Sequence, residues 1–293
     1  MSPRDPDREG SFVREDVRIA FSVYENDQPT ILLMPTWSIV HSRHWKAQVP
    51  YLARHFRVLT FDGRGNGRSD RPHEPGAYSD QEFVADALAT LDATDTERAV
   101  VAGVSFGGHW TALLAGLHPE RVEGAILIGT PTSLVPPHPQ RSTYPFEEEL
   151  DTDQGWAKYN LHYWRRDYAG FANFFFSQIF SESHSTKQHE DAVSWALETD
   201  ADTLIATRLT ERIMGEAERA VLEAIRCPVL VIHGTDDQLT PVGAGSKLAE
   251  ITRGSLLMID GGGHMPQARD AVRVNLAIKE FADRVFAQAK ARA

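Results

Sequence analysis

The chain is short of cysteine, of long apolar runs and of positive charge, and each shortage excludes something. Cys227 is the single cysteine in 293 residues, so no internal disulfide can form. Lying just before an apolar run, it reads as a small core or strand-edge residue rather than a nucleophile. No stretch approaches the roughly 20 apolar residues of a membrane-spanning helix. The opening Met1–Gly10 is polar and lacks the apolar centre of a signal peptide. A cytoplasmic location without membrane attachment is therefore the expectation, with those opening residues frayed. The formal net charge is -11 and the basic residues are scattered, which argues against a nucleic-acid partner. Internal repeats and low-complexity tracts are absent from the sequence, as is a Gly-Lys-Ser/Thr phosphate loop.

What is present is an alternation. Short apolar runs rich in β-formers (Thr30 to Met34, Arg57 to Phe61, Ala99 to Ala102, Gly124 to Gly129, Pro228 to His233, Ser255 to Ile259) are separated by helical patterns. The early helical patterns lie at Trp45 to His55, Gln81 to Leu91 and Gly108 to Leu117. This rhythm predicts an α/β protein built on a parallel sheet covered on both faces, closed by a helix over Asp270 to Ala287. The interval from Gly129 to Pro228 breaks it. No strand is expected there; helical stretches follow a proline-rich approach, at Gln154 to Tyr168, Lys187 to Leu197, Asp202 to Arg212 and Glu216 to Ile225. Ordinary connections in such domains run to about six residues, so this is read as a helical insertion. It is dense in aromatic residues, most of which are expected to form its own small core.

The segment Ala99 to Gly108 carries the most specific signal. A strand-like run ends in Gly103-Val104-Ser105-Phe106-Gly107 and passes directly into a helical pattern, the context in which G-x-S-x-G presents a nucleophilic serine. A serine on so sharp a turn crowds its neighbours, which favours residues without a Cβ on both sides. The amide of Phe106 and the start of the helix then face any oxyanion that forms at Ser105.

A serine hydroxyl needs a base and an acid that orients it. His264 follows the run Leu256 to Ile259 through Gly261-Gly-Gly and so lies at a strand's carboxyl edge, where catalytic groups of open parallel sheets gather. For the acid, Asp237 follows the strand ending at Gly234; Asp236 is its nearest rival and Asp260 a weaker one. The chain order Ser, Asp, His matches that of serine hydrolases built on such sheets.

Together, Gly103–Gly107, Asp62-Gly-Arg-Gly-Asn-Gly-Arg-Ser69, Gly234-Thr-Asp-Asp237 and Gly263-His264 resemble the serine branch of the α/β-hydrolase superfamily, from about Phe12 onward. The resemblance implies an eight-stranded, mostly parallel sheet with a helical cap after the sixth strand. The corresponding division is a hydrolase core at 1–133 and 223–293 and a cap at 134–222. It also makes Gly63 to Gly67 a structural turn. Such proteins usually carry His-Gly after the third strand, but Met34-Pro35-Thr36-Trp37 stands here. Proline has no N–H, so the second oxyanion donor is expected from Thr36 or Trp37. His41 and His44 have metal-like spacing without a third ligand nearby and are expected at a helix entrance or on the surface.

The leading expectation is hydrolysis of a small to medium, largely apolar carboxylic ester through an acyl-enzyme, with Ser105, His264 and Asp237 as the triad and no cofactor or metal. Trp37, Phe106, Tyr144, Phe146 and Trp164 are candidate pocket residues, and an aromatic lining is expected to favour an uncharged substrate. The same triad could split a carbon–carbon bond, a lactone or a thioester. A carbon–carbon substrate would need a cation for its carboxylate, from Arg43, Arg165 or Arg166. A ligand-binding protein of low turnover on the same fold is a third reading. The sequence leaves the oligomeric state open.

Overall fold

The computed structural model describes residues 4–291. Eight strands form one sheet: β1 (Arg8–Arg14), β2 (Val17–Tyr24), β3 (Thr30–Leu33), β4 (Arg57–Phe61), β5 (Ala99–Val104), β6 (Val122–Ile128), β7 (Val229–Gly234) and β8 (Ser255–Ile259). Their spatial order is β1-β2-β4-β3-β5-β6-β7-β8; β2 is antiparallel to β1 and β4, and the remaining pairs are parallel. This is the eight-stranded, mostly parallel α/β sheet that the family resemblance implies.

The first two strands, β1 and β2, escape a reading by periodicity. β1 is a charged edge strand, and its hairpin to β2 turns through Glu15 and Asp16 at φ 49° and 63°, a left-handed pair with none of the usual Asn-Gly or Asp-Gly signature. The expectation of a frayed opening is corrected for Arg8–Gly10, which pair with Phe21–Val23; Met1–Pro3 lie outside the described residues.

Parallel strands need crossovers, and helices supply them on both faces. They are α1 (Val49–Leu52), α2 (Asp80–Ala93), α3 (Phe106–Leu117), α4 (Leu161–Arg166), α5 (Tyr168–Ile179), α6 (Thr186–Ala196), α7 (Ala201–Arg208), α8 (Gly215–Ala224), α9 (Val242–Thr252), α10 (Pro266–Arg269) and α11 (Ala271–Lys290). Strand alternation sorts the core into two layers. Ile31, Leu33, Ile126 and Ile128 face α1 and α11, while Leu32, Met34, Ala125 and Leu127 face α2, α3 and α9.

Between β6 and β7 the described residues form helices and turns but no strand. The stretch expected as one helix over Gln154 to Tyr168 is a 3-10 turn at Gly155–Lys158 followed by α4, because Asn160 caps α4 by accepting from the amides of His162 and Tyr163. α5 lies beyond it, its Phe171, Phe175 and Ile179 buried at helical spacing.

Candidate active site

The order of the strands creates the site. From β3 the chain moves to β4 on one side, then crosses back to β5 on the other, so the carboxyl ends of β3 and β5 border the crevice where the winding reverses. Ser105 leaves β5 there at φ 54°, ψ -123°, a conformation costing a non-glycine residue roughly 1–3 kcal/mol. The surroundings enforce it. Ser105 N donates to Ile128 O at 2.8 Å, and Ser105 O accepts from Gly108 N at 2.9 Å. A Cβ on Gly103 would lie 2.0 Å from Gly107 O, and one on Gly107 2.2 Å from Pro35 O. With the glycines and Val104 buried, Ser105 and Phe106 are the partly exposed residues of the turn.

The oxyanion side follows from the same pairing. Met34 N donates to Ala102 O at 2.8 Å and ends the β3 ladder; Pro35 has no donor, and the amides of Thr36 and Trp37 have no backbone partner among the described residues. The Phe106 amide lies in the first turn of α3, where no intrahelical acceptor exists. Thr36 and Trp37 are both buried, and Trp37 Nε1 donates to Thr207 Oγ1 at 2.7 Å.

The loops after β7 and β8 are held together by their backbones. Asp236 N donates to Gly262 O at 2.9 Å, and a Cβ on Gly234 would lie 2.1 Å from that same oxygen. Asp237 and His264 thereby meet: His264 Nδ1 lies 3.0 and 2.9 Å from the two Asp237 carboxylate oxygens, both residues being buried. The rivals Asp236 and Asp260 are exposed. Asp237 also accepts from the amides of Leu239 and Thr240 at 2.8 and 2.9 Å. Burial alone would raise its carboxyl, but the charge and hydrogen bond of His264, with His233 and the Thr240 amide, hold it below the ordinary carboxylate range. A proton on Nδ1 facing this carboxylate leaves Nε2 as an acceptor. The His264 backbone lies over Gly129, the residue after Ser105's partner Ile128.

The pocket residues expected from sequence separate. Trp164 is fully buried, its ring 4.3 Å from Phe171 and 5.9 Å from Trp37, so it backs the aromatic layer and has no surface to offer a ligand. Phe146 and Tyr144 are half-buried, with Phe146 5.9 Å from Tyr159. His41 and His44 lie at a helix entrance, as one of the two expectations had it, and not on the surface: both are buried, His41 caps the 3-10 turn Ser42–Trp45 and His44 lies within it.

The arginines suggested as carboxylate partners are also corrected. Arg43, Arg165 and Arg166 are exposed side chains facing Glu198, Asp202 and Asp153, respectively. Sequence reasoning missed Arg141, Arg208 and Arg212, which stand among the rings. Arg212 lies 4.2 Å from the Phe106 ring centroid, Arg208 5.4 Å from Phe146 and 5.5 Å from Tyr159, and Arg141 5.3 Å from Trp156 and 5.9 Å from Tyr159. A clue was legible in the seven-residue run Arg208 to Met214, where two arginines four apart close a helical pattern. Arg141, far off in a proline-rich stretch, gave none.

This geometry is that of a nucleophile-elbow protein on an α/β sheet. A family model described as the alpha/beta hydrolase fold matches residues 29–271, and the chain belongs to that family. Among its relatives, the 2-hydroxymuconate semialdehyde hydrolase of Pseudomonas sp. (strain CF600) is 29% identical over 242 residues, covering 81% of this chain and 80% of that one. The pimeloyl-[acyl-carrier protein] methyl ester esterase of Nitrosomonas europaea is 28% identical over 244 residues, covering 81% and 89%. The crystal structure of the esterase RhEst1 from Rhodococcus sp. ECU1013 superposes with a TM-score of 0.77 at 23% identity, covering 95% and 98%.

Proposed function

We propose that the protein is a serine hydrolase that transfers the acyl group of a carboxylic ester to water. Ser105 Oγ attacks the carbonyl carbon while His264 Nε2 takes its proton, and the negative oxygen is held by the Phe106 amide with that of Thr36 or Trp37. His264 returns the proton to the departing alcohol. Water then attacks the acyl-enzyme, His264 again acting as base, and the acid leaves as Ser105 regains its proton. Asp237 keeps the imidazole oriented and stabilises its charged form. The observation that carries this reading is the left-handed, partly exposed Ser105 near amides without backbone partners, with the main chain of His264, itself paired with Asp237, lying against Gly129, the residue after Ser105's backbone partner.

Ser105→Ala tests it on p-nitrophenyl esters, with a fluorophosphonate probe on the parent protein. The variant is expected to lose on the order of 10⁴-fold or more in kcat, and the probe to label Ser105 stoichiometrically. Undiminished cleavage by the variant overturns the mechanism. A second reading, cleavage of a carbon–carbon bond in a diketo acid by the same three residues, is supported by the 2-hydroxymuconate semialdehyde hydrolase among the relatives and by Arg212 beside Phe106, with Arg208 and Arg141 over Tyr159. A panel pairing neutral esters with vinylogous diketo acids separates the two.

We place the site on residues 1–133 and 223–293, with the helices of 134–222 as its cover. Cys227 takes no part: burial pushes its thiol up to about 11, far from the thiolate a nucleophile needs. A lone unreactive thiol fits a reducing, cytoplasmic setting. No helix among the described residues is long and apolar enough to cross a membrane.

A further inference from the structure

Three guanidinium groups gather on the aromatic layer beside the nucleophile turn, and their partners do not balance them. Arg212 is neutralised: it reaches Asp80 at 3.0 Å and also donates to Thr207 O at 3.0 Å. Arg141 donates to Leu239 O at 2.8 Å but has no carboxylate partner among the described residues. Arg208 has neither a side-chain hydrogen bond nor an ion pair among them, and its buried Nε is unsatisfied, as are those of Arg141 and Arg212. The chain carries a formal net charge of -11, so a scarcity of carboxylates does not explain why two half-buried arginines stand without one.

Such groups are costly to bury without a counter-charge. Burial depresses the Arg141 and Arg212 guanidiniums, and the charge of Arg208 depresses both further. Because arginine stays protonated, the consequence is a half-buried positive cluster that an anion would relieve. Its position fits a substrate. Arg212 covers the ring of Phe106, the residue following Ser105; Arg141 is tied to the acid loop two residues past Asp237; and Arg208 follows Thr207, which holds the Trp37 ring. Asp237, whose charge acts on Arg141, is already committed to His264, so it does not supply the missing counter-charge. Planar, fork-like donors beside ring faces also match a carboxylate.

We propose that Arg208 and Arg141, with Arg212 beside them, bind a carboxylate carried by the substrate, so that the site takes carboxylated rather than neutral acyl compounds. This rests on Ser105 being the nucleophile, and it replaces the uncharged substrate expected from the aromatic content alone. Arg208 is the specificity-determining residue: it is the one with no other partner to serve.

Two measurements test it. In the first, binding of glutarate, glutaramide and inorganic phosphate to the full chain is followed by calorimetry. Glutarate should bind the parent protein, at least about tenfold more tightly than glutaramide or phosphate, and Arg208→Gln should weaken glutarate by a similar factor. Equal binding of glutarate and glutaramide overturns the proposal, and tighter binding of phosphate overturns the carboxylate assignment; neither depends on a variant folding. In the second, kcat/KM is compared for p-nitrophenyl hemiglutarate and p-nitrophenyl valerate. The carboxylated ester should be preferred, and the preference should fall at least about tenfold in Arg208→Gln, mostly through KM, with partial recovery in Arg208→Lys. A preference for the valerate ester, or a ratio unmoved by Arg208→Gln, counts against it. Glutarate binding without fluorophosphonate labelling would remove the nucleophile reading and leave the anion site standing; labelling without glutarate binding would do the reverse.

Discussion

The loops at the carboxyl ends of β5, β7 and β8 and the segment between β6 and β7, whose Arg212 lies on the ring of Phe106, are built by different rules. In the loops, geometry is set by backbone crowding: Gly103 and Gly107 around Ser105, and Gly234 at the end of β7 before Asp237, sit where a Cβ has no room, and Asp237 is satisfied by an imidazole and two amides. In the helical region, packing is set by large side chains, Trp164, Phe171 and Phe175 among them, and two arginines near those rings have no carboxylate of their own. On the reading proposed above, the machinery that would serve any acyl group is held by main chain, and the groups that would discriminate between substrates are side chains from two segments far apart in sequence. If that division is right, a methyl group should do most damage in the first region, and a lost polar partner should do measurable but smaller damage at the boundary.

The largest expected effect comes from Gly103→Ala. The new methyl would lie 2.0 Å from Gly107 O and 2.5 Å from Gly108 N, main-chain atoms that cannot rotate away, so a loss of about 3 kcal/mol or more is expected. Gly76→Ala is the control. Nothing lies within 4 Å of its Cβ position, and its stability should stay within about 0.5 kcal/mol of the parent. Urea unfolding measures both. Equal stabilities would break the comparison, since the turn would then have slack.

The same division explains what the sequence makes legible. Strands buried on both faces, such as Ala99–Val104, read as continuous apolar runs, and the glycines around Ser105 state a steric need directly. Asp237 and His264 could be located because each follows a strand end, which fixes their edge of the sheet. β1 stayed hidden because its hairpin turns through Glu15-Asp16, residues with no special liking for positive φ beyond that of aspartate. The arginine group stayed hidden for a different reason. Periodicity reports which face of a helix is apolar, but not that Arg141 converges with Arg208 and Arg212, from two segments far apart in sequence, onto Tyr159 and Phe106.

Asp80 sharpens the comparison, because it joins the two regions. It opens α2, is fully buried, and accepts from Trp110 Nε1 at 2.9 Å and from Ile213 N at 2.7 Å; it also lies 3.0 Å from Arg212. Burial pushes its carboxyl up, but the hydrogen bond and charge of His109, with Arg212 and the Ile213 amide, overcome this and hold it at about 2. The folded value lies below the unfolded one. Its contribution is therefore complete above about pH 4 and is lost as pH falls through 2, and a depression of this size is worth about 2 kcal/mol. Asp80→Asn should be less stable than the parent by about that amount from pH 5 to 8, and the gap should narrow between pH 4 and 2. Urea midpoints across that range decide it. A gap that stays constant down to pH 2 would show that the charge of Asp80 is not what links α2 to Arg212.

The smallest effect is expected where Trp37 crosses from the oxyanion loop to α7. Its Nε1 donates to Thr207 Oγ1 at 2.7 Å, and that hydroxyl in turn donates to Leu204 O at 2.6 Å. Thr207→Val keeps the shape but leaves the buried indole N–H without an acceptor, which should cost about 1 kcal/mol, whereas Thr207→Ser keeps the hydroxyl and should recover most of it. The informative quantity is kcat measured beside stability. Trp37 follows Thr36 directly, so a ring freed from α7 loosens the backbone whose amide would meet the oxyanion, and kcat on a neutral ester should fall by about threefold while KM changes little. Stability lost with kcat intact would mean that the helices merely cover the loops. Loss of both, restored together by serine, would mean that a side chain of the helical region helps to hold the main-chain donors in place.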